Sequence, residues 1–273
     1  MKCLINHNML CPIITLLSDF GLKDPYVAEM KAVILSINPD AKLVDISHEV
    51  EKFDIRTGAY ILACAAPYFP KGTVHVAVVD PSVSTGRQPI IIQTCNACYV
   101  GPDNGVLALA AKNDGGLKSV HKITNRSLML PNVSSTFHGR DIFAPVAAHL
   151  ANGTSLTEFG PKISKIKIPK FALVTKKRGA LIGEVIYIDE FGNIVTNFQE
   201  KDIKTMNAGR TISIRIRNNQ RALKLCKTYA DVSRHEPLVL IGSHNFLEVS
   251  LNQGNAAEAF GTRKGDKVEI QFS

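Results

Sequence analysis

The chain has 273 residues, 45% of them hydrophobic, and its formal net charge is +8. This is enough apolar material for one large or two compact folded units, so we expect a folded globular protein and not a disordered or fibrous one. The basic residues are dispersed, and their densest stretch, Lys201 to Lys227, contains no aromatic residue on which a base could stack. We therefore do not expect nucleic acid as a partner.

Cysteine usage and hydropathy indicate the compartment. The six cysteines are irregularly spaced, which is not typical of a disulfide framework and favours a reducing environment. Cys95 and Cys98 have the spacing of a redox or metal pair, but no second pair follows, so we interpret both as ordinary strand cysteines. The opening residues 1–11 are too short and too polar for a signal peptide, and no apolar run reaches the roughly 18 residues of a membrane span. We expect a cytoplasmic protein that does not bind membranes.

The first part of the chain alternates strands with helices. In chain order we predict strand 13–17, a helix from Asp24, its N-cap, to Asn38, strand 43–46, helix 55–66 and strand 74–80. This alternation is typical of an α/β fold with a mostly parallel sheet, in which ligands bind beyond the carboxyl ends of the strands. Asp19 and Asp80 each follow a strand, so both would lie at that edge.

The middle of the chain adds a hairpin, two helices and a linker. We predict strands 89–92 and 98–100, a tight turn at 101–105, a helix over 106–111, and a helix over 141–150 for which Asp141 is the cap. The lysine-, proline- and isoleucine-rich stretch 161–169 has the composition of a linker. We place the domain boundary there, which gives domains 1–170 and 171–273.

The last part of the chain has the sequence pattern of a β domain, with short strands separated by polar turns. We predict strands 183–188, 211–216, 223–227, 238–241, 247–251 and 267–272, with polar turns at 189–197, 243–245 and 252–257. Since no long amphipathic helix interrupts them, these strands predict a small antiparallel barrel or sandwich.

Three polar side chains form a set suited to holding and polarising a water molecule. Asp80 ends a strand, Arg87 follows in the same loop, and His138 lies just before a helix. A metal-dependent phosphohydrolase that uses Asp19, Asp24, Asp80 and His138 as ligands is an alternative, and a nucleic-acid binder fits only the charge.

Six segments occur in the order found in one enzyme family. They are Leu17–Tyr26, Val79–Pro81, Gly101–Gly105, Phe137–Asp141, Asp189–Asn193 and Asn252–Ala257. With them the chain resembles the S-adenosyl-L-methionine (SAM) hydrolases, also called SAM hydroxide adenosyltransferases, which are related to the fluorinases and chlorinases. The resemblance extends from about Ile13 to the end of the chain.

The resemblance implies a fold, an assembly and a reaction. The fold is a Rossmann-like N-terminal domain followed by a small antiparallel β-barrel domain, in a homotrimer whose ligand sites lie between domains of neighbouring subunits. The reaction is attack of water-derived hydroxide on the ribose C5′ of SAM, which gives adenosine and methionine. SAM is the substrate, and neither a cofactor nor a metal is implied.

The resemblance also assigns roles to individual residues. Asp80, Arg87 and His138 match the family's water-activating Asp, Arg and His, a set that the halogenases are expected to lack. The matching substrate-binding residues are Asp19 for the ribose hydroxyls, Asp24 near the methionine end, Asp189, Phe191 and Asn193 around methionine and adenine, and Ser243, Asn255 and Ala256, which complete the pocket.

Two features depart from the family pattern. Ser82 and Ser84 stand where the loop after Asp80 usually has glycines, and serine tolerates a positive φ much less well than glycine. His244 follows Ser243 where the halogenases have an arginine that would contact the methionine carboxylate. The altered loop allows the alternative that the chain is a non-catalytic SAM- or adenosine-binding protein.

Overall fold

A computed structural model describes residues 12–177, 179–203 and 211–271. Two compact units are present, one ending at Pro169 and the other beginning at Lys170. Within the described ranges, no helix is long and apolar enough to cross a membrane. The opening residues 1–11 and residue 272, about which the sequence made predictions, lie outside these ranges.

The first unit is an α/β fold built on one sheet. Its strands are β1 (Ile13–Ser18), β2 (Lys42–Ser47), β3 (Val74–Val78), β4 (Pro89–Gln93), β5 (Cys98–Pro102) and β6 (Ser119–Lys122). Its helices are α1 (Tyr26–Ile37), α2 (Ile55–Ala65), α3 (Ala108–Asn113), α4 (Ala144–Ala151) and α5 (Leu156–Phe159). The strand order is β2-β1-β3-β5-β4-β6.

The sheet is mostly parallel, as predicted. β1 pairs in parallel with β2 and β3, and β3 pairs in parallel with β5, whereas β4 is antiparallel to both of its neighbours. All five residues of β3 are buried, so this central strand has its continuous apolar run because both of its faces are covered. The chain that leaves β3 therefore emerges in the middle of one sheet edge.

Helix α1 shows how apolar spacing places an element on the sheet. Val27, Met30 and Ile34 recur at intervals of three and four, and all three are buried. The predicted cap at Asp24 is wrong, because the helix begins at Tyr26 and no side-chain hydrogen bond caps its first turn. A proline holds the helical φ at that position without a cap.

Two other boundaries differ from the prediction. Helix α3 starts two residues later than expected. Of the two cysteines that were interpreted as strand residues, Cys98 begins β5, whereas Cys95 lies in the turn after β4. Local sequence patterns locate an element better than they locate its ends, since end residues take their conformation from the neighbouring turn.

The second unit is a β barrel. Its strands are β7 (Thr175–Lys177), β8 (Ala180–Ile188), β9 (Ile194–Gln199), β10 (Thr211–Ile216), β11 (Asn219–Cys226), β12 (Pro237–Ile241), β13 (Phe246–Leu251) and β14 (Lys267–Gln271), and its helix is α6 (Ala256–Phe260). The strand order is β14-β10-β11-β12-β13-β9-β8-β7, and pairing of β14 with β8 closes the barrel.

Closure decides between the two predicted β architectures in favour of the barrel. Ile212, Ile214 and Ile216 on β10 alternate with more exposed residues and are fully buried, as expected for side chains that fill a small barrel. The pairing is antiparallel except between β11 and β12, which are parallel. Residues 194–197 belong to β9 and not to a turn, and α6 begins inside the turn predicted over 252–257.

Candidate active site

A cavity of about 280 Å³ opens at the carboxyl ends of β1 and β3 in the first unit. Four of the predicted site residues line it: Asp19, Asp24, Asp80 and His138. Asp19 directly follows β1, and Asp80 lies two residues beyond β3, which ends at Val78 and not at Asp80 as predicted. Both acids lie at one edge of the sheet because the carboxyl ends of parallel neighbours meet there. The cavity is therefore in the position that the sequence predicted for a ligand site.

Arg87 joins Asp80 to His138. Its Nε donates to Asp80 Oδ2 at 2.7 Å, and its Nη2 lies 2.5 Å from the same oxygen. The same Nη2 is 2.7 Å from His138 Nδ1. The side chains of Asp80 and Arg87 are each only 6% exposed, so their ion pair is shielded from bulk water. The three residues predicted as a set form one continuous network.

The contact with Arg87 determines the protonation of His138. A guanidinium group can only donate hydrogen bonds, so Nδ1 accepts and the neutral ring carries its proton on Nε2. The pKa of His138 lies below its usual value of 6.5. Burial is the largest cause, and the positive charge of Arg87 is the second. The imidazole is therefore neutral at neutral pH.

The segment Gly101–Gly105 fixes the strand end from which Asp80 projects. Asn104 donates from its side chain to the carbonyl of Val79 at 2.8 Å. Gly101 permits close packing, since a Cβ there would lie 2.4 Å from the carbonyl oxygen of Ala77. This part of the family resemblance thus has a structural explanation.

The loop after Asp80 contains both of the serines noted in the sequence. Ser82 donates to Asp80 Oδ1 at 3.3 Å. Ser84 has a φ of +61°, in the left-handed region that glycine favours, and its hydroxyl donates to the carbonyl of Ser135. The loop thus places a non-glycine residue in a glycine-type conformation while gaining two side-chain hydrogen bonds.

Asp141 does not cap its helix as predicted. It lies within one turn of π-helix, Gly139–Phe143, that leads into α4, and its side chain is fully buried. The turn begins at Gly139 with His138 as its N-cap, so Asp141 is the third residue of the turn and not its cap. Turns of this kind are frequent at functional sites.

The carboxylate of Asp141 instead braces the segment that carries His138. It accepts from the N–H of Ser134 at 2.8 Å and from Arg140 Nε at 2.7 Å, and Arg140 also reaches Glu29 on α1 at 2.9 Å. Burial raises the pKa of Asp141, but these hydrogen bonds outweigh it and hold the pKa below its usual value. The segment from Ser134 to His138 is thereby fixed to α1.

The loop between β2 and α2 holds Asp19. Its Phe53 N–H donates to Asp19 Oδ2 at 2.8 Å, and the Lys52 ammonium donates to the Asp19 carbonyl. Phe53 has a φ of +67° and its side chain is 69% exposed, although it lines the cavity. Sequence reasoning missed Lys52 and Phe53, because neither forms part of a recognisable motif.

Three aromatic rings cluster at the cavity wall. The ring of Tyr26 lies 5.1 Å from that of Phe137 and 5.8 Å from that of Phe20, at the distances typical of edge-to-face pairs. Asp24, two residues before Tyr26, is exposed. This wall places apolar rings near the acidic side chain of Asp24, which suits a ligand with both apolar and cationic parts.

In the second unit, Asp189 organises its own loop. Its Oδ1 accepts from the N–H groups of Phe191 at 3.0 Å and Asn193 at 2.8 Å, and its Oδ2 accepts from the Asn193 side chain at 2.8 Å. The Phe191 side chain is 80% exposed. The loop is therefore rigid while the aromatic ring at its tip faces solvent.

The structure brings a second predicted segment against this loop. Asn255 caps α6 by accepting from the N–H of Glu258 at 3.0 Å, and Ala256 begins the helix. Gly192 lies directly against the cap, since a Cβ there would be 2.0 Å from Asn255 Oδ1. Ser243 lies in the exposed turn between β12 and β13.

Glu248 is a buried acid that sequence reasoning missed. It is 8% exposed, accepts from the Tyr229 hydroxyl at 3.1 Å and packs against Gly242, next to Ser243. Burial raises the pKa of Glu248; the hydrogen bond from Tyr229 opposes this, and the charge of Asp189 adds to it. Glu248 looks like an ordinary polar residue of a strand, so the sequence contains no signal for it.

The metal-ligand alternative has no geometric support. Throughout the residues that the structure describes, no three His, Cys, Asp or Glu side chains converge as metal ligands would. Asp80 and His138 instead contact Arg87, and a cation at that position would repel a metal ion.

Comparison with known proteins relates both units of the chain to one enzyme family. Residues 14–160 match the SAM hydroxide adenosyltransferase N-terminal domain, and residues 183–269 match the C-terminal domain. An (R)-S-adenosyl-L-methionine hydrolase from Methanocaldococcus jannaschii is 41% identical over 95% of this chain and 96% of its own length. An (R)-S-adenosyl-L-methionine hydrolase from Salinispora tropica is 36% identical over 95% of this chain and 97% of its own length.

More distant relatives and solved structures agree. A fluorinase from an Actinoplanes species is 27% identical over 95% of this chain and 97% of its own length. The crystal structure of an uncharacterized conserved protein from Thermotoga maritima superposes with a TM-score of 0.84 at 38% identity, over 95% of this chain and 100% of that one. The chain belongs to the SAM hydroxide adenosyltransferase family.

Proposed function

We propose that this chain hydrolyses SAM to adenosine and L-methionine by attack of water-derived hydroxide on the ribose C5′. Relatives at 36% and 41% identity are named (R)-S-adenosyl-L-methionine hydrolases, which supports this activity. The observation that carries the proposal is the network of Asp80, Arg87 and His138 at the cavity wall. Enzymes that transfer a halide to the same carbon do not need a group that orients water.

The chemistry demands positioning more than acid catalysis. As the new O–C5′ bond forms, the C5′–S bond breaks and its electron pair moves to sulfur, which becomes a neutral thioether. The sulfonium is a good leaving group, so it needs no proton. One oxygen must be held in line with the C–S bond and kept apart from bulk water.

The three networked residues divide that task. Asp80 and His138 line the cavity and hold the attacking water by hydrogen bonds. Arg87 sets the orientation of the Asp80 carboxylate and keeps the proton of His138 on Nε2. We assign orientation and electrostatics to Asp80 and Arg87, and to His138 a hydrogen bond from its Nε2–H to the oxygen of the attacking water. The proton that the water loses as the O–C5′ bond forms passes to the Asp80 carboxylate, which is the hydrogen-bond acceptor of the set at the cavity.

Asp19 binds the ribose hydroxyls in this proposal. Its Oδ2 already accepts the Phe53 N–H at 2.8 Å, which orients the carboxylate, and Oδ1 accepts from the ribose. Asp24 lies at the methionine end of the same cavity. The ammonium group of methionine is the cationic ligand that this acid suits.

In keeping with the family resemblance, we propose that six residues of the barrel unit bind the adenine and methionine parts of SAM. They are Asp189, Phe191, Asn193, Ser243, Asn255 and Ala256. The exposed ring of Phe191 on its rigid loop supports a stacking role. In keeping with the family resemblance, we propose a homotrimer whose sites lie between neighbouring subunits. The molar mass of the protein in solution, measured by light scattering, would test the number of subunits.

The remaining assignments concern cofactors and compartment. We propose that SAM acts as substrate and that the reaction needs no metal or other cofactor. We also propose a cytoplasmic location, supported by the free thiols of Cys98 and Cys226. Small-molecule SAM, its products and further copies of the chain are the partners in this proposal.

Chromatography of SAM incubated with the purified protein tests the activity. The matched variants are Asp80→Asn, which keeps the shape of the networked side chain, and Asp40→Asn at an exposed surface acid. We expect adenosine and methionine in halide-free buffer from the wild type and Asp40→Asn, and little from Asp80→Asn. Activity should survive a chelator, which a metal-dependent phosphohydrolase would not.

Two outcomes would replace the proposal. A halogenated adenosine formed only with chloride or fluoride would indicate a halogenase. Intact SAM under all conditions, together with saturable binding of SAM measured by calorimetry, would indicate the non-catalytic binding protein. The strained φ of Ser84 in the loop after Asp80 is the observation that keeps this second candidate in view.

A further inference from the structure

We infer that Ser84 is a positioning residue for this reaction, because its hydrogen bond to Ser135 holds the two loops that carry Arg87 and His138 in register. We call this hydrogen bond the Ser84 latch. The inference rests on the proposed function, and it goes beyond the water-activating set because the Ser84 hydroxyl donates to Ser135, which is not a member of that set.

The backbone at Ser84 is in a costly conformation. Its φ of +61° is one that a side chain with a Cβ seldom adopts, and glycine would adopt it without strain. Strained backbone persists where surrounding contacts compensate for it, and such residues cluster at active sites. The contact available here is the hydroxyl of Ser84, which donates to the carbonyl of Ser135. Glycine could not make it.

The latch is the second of two ties between the same loops. The first is the contact of Arg87 with His138 at 2.7 Å. Ser84 precedes Arg87 by three positions, and Ser135 precedes His138 by three. Two hydrogen bonds, three residues apart on each loop, fix both the separation of the loops and their register. A single hydrogen bond would leave the loops free to rotate about it.

The neighbours of the latch are part of the cavity wall. Val83, next to Ser84, and Thr136, next to Ser135, both line the cavity. Opening the latch would therefore let this part of the wall move apart and admit water beside Asp80. The latch acts on the orientation of the reacting water and not on binding of the rest of the substrate.

Substitutions at Ser84 separate positioning from structural strain. Ser84→Gly removes the hydroxyl and relieves the strain, whereas Ser84→Ala removes the hydroxyl and keeps the strain. Ser36→Ala is the matched control, because Ser36 is also an exposed serine that donates to a backbone carbonyl, that of Val33 at 2.8 Å. If Ser84 were only structural, activity would follow stability, and Ser84→Gly would be at least as active as the wild type.

We expect both Ser84 variants to lose kcat for SAM hydrolysis by about 3- to 10-fold, the size of one lost hydrogen bond, with KM changed by less than about 2-fold. Ser84→Gly should nevertheless melt no lower than the wild type, whereas Ser84→Ala should melt lower. Ser36→Ala should keep kcat. Wild-type kcat in Ser84→Gly would overturn the inference.

Amide hydrogen exchange in the absence of substrate tests the latch independently of activity. We expect residues 82–87 and 134–138 to exchange faster in Ser84→Gly than in the wild type. Unchanged exchange would overturn the latch, and faster exchange with unchanged kcat would overturn its role in positioning. If the wild type released no adenosine, the proposed function would fail while the exchange experiment still reported on the latch.

Discussion

Arg87 Nη2 lies 2.7 Å from His138 Nδ1, and this contact decides which nitrogen of the imidazole carries the proton. Because arginine cannot accept, His138 must offer a lone pair at Nδ1 and keep its hydrogen at Nε2. Protonation of the ring would place two donors face to face next to a permanent positive charge. The network therefore operates only while His138 is neutral.

This relationship predicts the acid side of the pH profile. Burial and the charge of Arg87 lower the pKa of His138 below 6.5, so its neutral form persists above that pKa and is lost as the pH falls through it. We expect kcat to be flat through neutrality and to fall with an apparent pKa below 6.5. Arg87→Gln should move this limb to higher pH, because it removes a positive neighbour. An apparent pKa of 6.5 or higher for the acidic fall of wild-type kcat would contradict the assignment of this fall to His138.

Asp80 and Arg87 should not tolerate conservative replacement. Asp80→Asn keeps the size of the side chain but removes its charge, and we expect kcat to fall by about 100-fold or more. Arg87→Lys lacks the planar fork that contacts Asp80 and His138 together, so we expect a loss of about 10-fold or more. Steady-state kinetics beside Asp40→Asn measure both, and near-normal kcat in Asp80→Asn would remove Asp80 from the reaction.

His75 predicts a loss of stability in acid. It is fully buried, its Nδ1 lies 2.8 Å from the Thr15 hydroxyl, and its ring stacks on Tyr99 with centroids 5.0 Å apart. Burial lowers the pKa of His75 to about 4, although the charge of Asp114 opposes this. The unfolded chain binds this proton near pH 6.5 and the folded chain only near pH 4. Stability is therefore complete above 6.5 and is lost as the pH falls between these values.

The difference between 6.5 and about 4 corresponds to about 3 kcal/mol of unfolding free energy. Urea unfolding from about pH 7 to about pH 4 measures it. His75→Gln cannot take up the proton, so we expect its unfolding free energy to decline less over this range by about that amount. An equal decline in the wild type and the variant would show that His75 does not titrate between the two states.

The close packing of Gly192 against Asn255 predicts that the Asp189 loop and the cap of α6 stabilise each other. Gly192→Ala would place a Cβ 2.0 Å from Asn255 Oδ1 at a φ of +81°, so both the helix cap and the backbone would be disturbed. We expect a loss of about 2 to 4 kcal/mol in unfolding free energy. Gly261→Ala is the control, because its φ is +59° but no atom lies within 4 Å of the added Cβ. It should cost only about 1 kcal/mol, and equal losses would argue against the contact with Asn255.

Periodicity and turn residues were enough to predict the two halves of the fold. The alternation of strands with helices before residue 160 predicts a mostly parallel sheet, and the strand pattern after residue 180 predicts a small antiparallel barrel or sandwich, of which the structure shows the barrel. The same logic placed Asp19 and Asp80 at one edge, because strands that run in parallel end on the same side. These inferences succeed because they depend on local sequence and on the geometry shared by all such sheets.

Contacts between distant loops could be decided only by the tertiary structure. His138 is 51 positions from Arg87, and Phe53 is 34 positions from Asp19, yet each pair is joined by a hydrogen bond. The family resemblance named Asp80, Arg87 and His138 but not their connection. The left-handed φ of Ser84 and the buried carboxyl of Glu248 leave no trace in periodicity, because loop torsions and burial follow from how the surrounding elements pack.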